Sequence, residues 1–124
     1  MKVRGVDFVF YNVTDMDKAV AFYRDVLGLK VIGEPGKMWT EFDTGNLALV
    51  IGIYGGEPIP KGKKANVSVG LAVDDVKSAL QHLKSKGVPI NMDLQSFDPC
   101  FMASISDPDG NEIVIHQRKD GTVG

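Results

Sequence analysis

Residues 6–13 alternate between apolar and polar positions and are rich in β-branched and aromatic side chains, so their period of two predicts a strand. The period then lengthens. Met16, Ala19, Val20, Tyr23, Val26 and Leu27 recur at helical spacing, Thr14 or Asp15 can cap the helix, and Gly28 stops it. Three strands are expected next, over 30–33, 38–43 and 47–54, punctuated by Gly36 and by Thr44-Gly45-Asn46. Residues 55–66 have the composition of a linker. After it the cycle restarts. A strand is expected over 67–73, and Asp74 or Asp75 caps a helix whose stripe is Val76, Ala79, Leu80 and Leu83 and whose end is Gly87. Strands over 89–94, 100–106 and 112–117 follow, with a tight turn at Asp107-Pro108-Asp109-Gly110 and a loose tail over 118–124.

The chain therefore says one thing twice. Asn12-Val13-Thr14-Asp15-Met16-Asp17-Lys18-Ala19 is echoed by Ala72-Val73-Asp74-Asp75-Val76-Lys77-Ser78-Ala79. Each copy later reaches a Gly-Asn turn that opens an apolar strand, at Gly45-Asn46-Leu47 and at Gly110-Asn111-Glu112. A strand-helix-strands unit is too long for a solenoid repeat and reads as a half-domain. Each half would bury one sheet face under its own helix and leave the other face to enclose something. The fold expected is α+β, one domain over 1–124, with module 1 at 5–54, a linker at 55–66 and module 2 at 67–118.

Composition narrows the function classes. The chain has 124 residues, 44% hydrophobic and 24% charged, which is ordinary for one globular domain. A net charge of −2 gives no polybasic surface for nucleic acid or anionic membrane. Lys61, Lys63 and Lys64 cluster among Gly and Pro, as a solvated linker would. The single cysteine, Cys100, rules out an internal disulfide and supplies no zinc-binding pair. Without a signal peptide or a long apolar run, the default compartment is the cytoplasm.

Ala21-Phe22-Tyr23-Arg24-Asp25-Val26-Leu27-Gly28-Leu29 resembles the first-helix signature of the vicinal oxygen chelate superfamily, which holds glyoxalase I, bleomycin resistance proteins, extradiol dioxygenases and fosfomycin resistance enzymes. Asp107-Pro108-Asp109-Gly110-Asn111 resembles its second-module signature. The resemblance spans about residues 5 to 118 and implies two βαβββ modules forming a barrel-like cleft, usually in a homodimer. It also implies where metal ligands would stand in the metal-dependent members. Counted from Asp15, Asp75 and the two Gly-Asn turns, those positions are Phe8, Ser68, Leu49 and Val114. Phe, Leu and Val cannot ligate a metal through their side chains, and Ser is a poor ligand, so no metal and no cofactor is expected.

The parity of Phe8 also carries Phe10 and Asn12, and that of Ser68 carries Gly70 and Ala72. Leu47 and Ile51 go with Leu49, Glu112 and His116 with Val114, Glu41 with Trp39, and Ser104 with Met102 and Cys100. The expected ligand-binding lining is thus Phe8, Phe10, Asn12, Trp39, Glu41, Leu49, Ser68, Gly70, Met102, Ser104, Val114 and His116. Aromatic and apolar walls with a few polar groups are typical of small-molecule sites. A carboxylate beside rings favours a cation. Each residue also has a plainer reading: Phe8, Phe10 and Trp39 as a core plug, Glu41 as a solvated strand residue, His116 as a structural or surface histidine. His82 and Cys100 carry no expectation of chemistry.

Three functions compete. The first is a metal-free small-molecule binder that sequesters a planar or cationic ligand, like the bleomycin resistance branch. The second is an enzyme of the same superfamily, a lyase, isomerase or dioxygenase. It would use a metal site rebuilt from Glu41, His116 and Glu112 or Asp7, or a general base at His116 or Glu41. The third is a regulatory module with a filled cleft. The partners expected are a small molecule and a second copy of the chain, because each module leaves sheet edges to cover.

Overall fold

The computed structural model describes residues 1–124 except Val3, Gly5, Lys64, Asn66 and Gly124. The start of module 1 at Gly5, Lys64 of the basic cluster, Asn66 at the linker's end and the tail residue Gly124 thus lie outside the described residues. The chain divides into two compact units, Met1–Pro58 and Ile59–Gly124. Each has one four-stranded sheet.

In the first unit β1 (Phe8–Asn12) leads to α1 (Met16–Val20), then to β2 (Lys30–Ile32), β3 (Trp39–Asp43) and β4 (Ala48–Gly52). The sheet order is β1-β4-β3-β2, with β4 parallel to β1 and antiparallel to β3. Asp15 starts α1: its backbone is extended, and its Oδ1 accepts the Lys18 N–H at 3.0 Å. After Val20 the helix widens into a π-helical segment, Ala21–Val26, in which the Leu27 N–H donates to the Phe22 carbonyl. The wider turn shifts the buried stripe. Phe22 and Tyr23 both turn inward, in edge-to-face contact at 5.2 Å, while Val26 and Leu27 are only half-buried. A strict helical period assigns Tyr23 to the stripe and misses Phe22.

The helical layer covers one face of this sheet. Tyr23 lies 5.6 Å from Phe42, and the Thr40 hydroxyl donates to Met16 Sδ at 3.3 Å. Register then places Val9, Tyr11, Leu49, Ile51, Thr40 and Phe42 on the covered side. Leu49, Ile51 and Phe42 are fully buried there, each contributing roughly 1.5–3 kcal/mol of apolar burial.

The second unit repeats the plan: β5 (Val69–Ala72), α2 (Val76–Ser85), β6 (Ile90–Ser96), β7 (Cys100–Ser106) and β8 (Glu112–Arg118), in sheet order β5-β8-β7-β6. Arg118, expected in the tail, ends β8. Asp75 caps α2, accepting from the Lys77 N–H and the Ser78 hydroxyl, and Gly87 closes it with φ 72°. The Val76 N–H donates to Gln117 Oε1 at 3.0 Å, tying the helix start to β8. Ala103, Ile105, Ile113 and Ile115 form the covered face under Leu80 and Leu83. Part of the expected linker belongs to this unit: the Ile59 N–H donates to the Asp109 carbonyl at 2.8 Å, and Ile59 packs on Gly110.

Candidate functional site

The open face of the first sheet follows from register alone. Phe8, Phe10 and Asn12 lie beside Ala48, Val50 and Gly52, which lie beside Asp43, Glu41 and Trp39. Five of the residues expected there, Phe8, Phe10, Asn12, Trp39 and Glu41, do share this face. Leu49 does not. It pairs with Val9 and Phe42 on the helix-covered side, with Ile51 two residues on, and is fully buried. Val50 takes the expected place. The cause is the turn. Asn46 and Leu47 separate Gly45 from β4, whereas only Asn111 separates Gly110 from β8. A count carried from one copy to the other slips by one residue, and one residue exchanges the faces of a strand.

Aromatic rings dominate this face. Trp39 meets Phe8 edge-on at 5.6 Å, stacks on Phe10 at 5.8 Å with 27° between planes, and meets Tyr54 at 6.2 Å. Tyr54 also lies 6.1 Å from Phe10. Phe8 is 47% and Tyr54 60% exposed, so the cluster is a surface and not a sealed core. Tyr54 escaped the sequence reading because it fell within the strand expected over 47–54, where the parity assigned to Leu49 turned it to the covered side; β4 in fact ends at Gly52. Glu41 is half-buried on the same face and forms no ion pair among the described residues.

The second unit's open face keeps the expected set. Gly70 pairs with Val114 and Val114 with Ser104; Ala72 pairs with His116 and His116 with Met102. Ser68 precedes β5 and is exposed. A side chain added at Gly70 would meet nothing within 4 Å, so the floor of this face is open and shallow. Ser104 is 4% exposed, and its hydroxyl has no hydrogen-bond partner among the described residues. No described buried side-chain oxygen or nitrogen is both sealed and unpartnered, so this hydroxyl opens onto the face. His116, diagonal to it on β8, is half-buried and likewise unpartnered among the described residues. The two faces thus differ: a ring cluster beside Glu41 on one, and small residues with Ser104, His116 and Glu112 on the other.

The positions that would hold a metal in metal-dependent relatives are Phe8, Ser68 and Val114, with Leu49 on the wrong side or Val50 in its place; none fits a divalent ion. Among the described residues no group of three His, Cys, Asp or Glu side chains gathers. A separate groove of about 520 Å³ lies on the first unit between the start of α1 and Pro35-Gly36-Lys37. Of its charged side chains, Asp15 caps α1 and Arg24 pairs with Asp25 at 2.8 Å. No helix among the described residues is long and apolar enough to cross a membrane.

Comparison with known proteins agrees with this architecture. The structure is similar to TnmS3, an antibiotic binding protein from Streptomyces sp. CB03234, at 25% identity and a TM-score of 0.75, covering 96% of this chain and 99% of that one. A glyoxalase family protein from Bacillus anthracis matches at 23% identity and TM-score 0.76, covering 96% and 98%. Lactoylglutathione lyase from Agrobacterium tumefaciens matches at 21% and 0.72, covering 94% and 96%. The last two likenesses concern fold alone. The model of the Glyoxalase/Bleomycin resistance protein/Dioxygenase superfamily matches residues 5–115, nearly the full span of both units, and the chain belongs to that superfamily.

Proposed function

We propose that this chain binds a planar or cationic small molecule on its aromatic sheet face and holds it without a metal ion. The ring cluster of Phe8, Phe10, Trp39 and Tyr54, exposed beside Glu41, carries the reading. A cation on a ring face gains about 0.5–2 kcal/mol, and the Glu41 carboxylate adds attraction of the same sign. The likeness to an antibiotic binding protein supports sequestration as the outcome. The reading includes a homodimer, since β1, β2, β5 and β6 are sheet edges within their own units, and a cytoplasmic location.

Trp39 is the chain's one tryptophan, so its fluorescence reports on the site. Titration with 9-aminoacridine should quench it saturably, and Glu41→Gln should weaken that binding. Quenching that does not saturate for this or any other planar cation would defeat the reading. Ser104 and His116 favour a second reading, an enzyme in which His116 acts as general base. In that case His116→Ala would abolish turnover of a substrate while leaving 9-aminoacridine binding unchanged.

A further inference from the structure

We infer that Gly52 is the specificity-determining position of the aromatic face, selecting flat ring systems over tetrahedral cations. The inference rests on the binding function proposed above and names its ligand class more narrowly.

Gly52 ends β4, the strand that lies between β1 and β3, and it pairs with both Asn12 and Trp39. It is buried although it bears no side chain, because rings lie on it. A carbon built at its Cβ position would lie 2.6 Å from Phe10 Cε2, 3.0 Å from Phe10 Cζ and 3.0 Å from Tyr54 Cδ2. Carbon atoms in contact normally stand ≈3.5–4.0 Å apart. Phe10 and Tyr54 therefore occupy the notch left by the missing side chain. Lying in it, Phe10 comes within 27° of the Trp39 plane. Rings stacked in this way turn one face toward each other and leave a flat outer ring surface on which a ligand can extend the stack. That surface matches the face of a polycyclic ligand over much of its area, whereas a tetrahedral ammonium touches it at one point.

The notch is also local. The closest atoms that an added methyl would strike, Phe10 Cε2 and Cζ, are the far end of a ring that can rotate away, so Gly52→Ala changes the tilt of Phe10 before it changes the fold. Gly52→Ala should keep the far-ultraviolet circular dichroism of the parent and alter its near-ultraviolet aromatic signal. Its affinity for 9-aminoacridine should fall about tenfold, while that for tetraethylammonium should change less than about twofold. Phe10→Leu removes the ring atoms in question, so adding Gly52→Ala to Phe10→Leu should cost little further affinity. The double variant also serves if the single one fails to fold.

The outcomes separate cleanly. If the parent binds neither 9-aminoacridine nor any other planar cation, the proposed function fails and the selectivity falls with it. If the parent binds but Gly52→Ala leaves the aromatic signal and the affinity unchanged, the role of Gly52 is overturned and the function stands. Equal losses for both cations would also overturn it, since the notch would then serve binding in general and not the choice between shapes.

Discussion

Asp107 shows what a single side chain does in this chain. Its carboxylate is nearly fully buried and accepts from the Asp109 N–H at 2.9 Å, the Asn111 N–H at 2.8 Å and the Asn111 side-chain amide at 2.8 Å. It therefore satisfies the donors of the turn that sets β8 against β7. Asp107→Ala would strand those donors and should lower stability by about 2–3 kcal/mol, read from urea unfolding. The sequence showed that a turn stands here, because Pro108 and Gly110 have strong local preferences. It did not show the hub, because two of the three donors are backbone groups common to every residue. Gly56 is similar. A Cβ there would collide with Asn12 Cβ and Cγ, atoms too close to the backbone of β1 to move aside. Gly56→Ala should therefore displace the segment after Tyr54 and lower the thermal midpoint, a demand that composition alone reads as linker flexibility.

At the level of elements, caps were readable, strand parity was readable except on β4, and helix winding was not. Of the two candidates expected at each helix start, Thr14 or Asp15 and Asp74 or Asp75, the second is the cap in both, since an N-cap needs a short acceptor side chain at the right offset. Hydrogen bonds from the Ser78 hydroxyl, and then from the Lys77 and Ser78 N–H groups, hold the Asp75 carboxyl below its ordinary pKa. A lowered folded-state pKa means that the contribution is complete above the unfolded value and is lost as pH falls through the folded one. The parent should thus lose stability between about pH 4 and lower values more steeply than Asp75→Asn, as followed by denaturant midpoints across acid pH. The π-helical segment had no such signal. Its wider hydrogen bonding is chosen by how Phe22 and Tyr23 fit over the sheet, and a fixed period cannot anticipate that.

For the molecule as a whole, the repeat was the strongest signal. It gave two units of like topology because each copy carries its own cap, stop and turn. It also carried the one error of face, at Leu49, because the copies share a turn dipeptide and differ in the turn around it. Protein equilibrated with nickel, zinc, manganese or iron(II) and then desalted should retain far less than one ion per chain in elemental analysis. Retention near one ion per chain would replace the binder with a metalloenzyme. Light scattering at micromolar concentration should return twice the chain's 13.4 kDa mass.

The unequal turns reach further than one misplaced leucine. The two turns share the dipeptide Gly-Asn, at which a hybrid of the two units could be joined. A hybrid joining residues 1–45 to residues 111–124 would preserve every residue type at the junction and still turn its last strand inside out. Ile113 and Ile115 would be presented to water, and Val114 and His116 pressed beneath the helix.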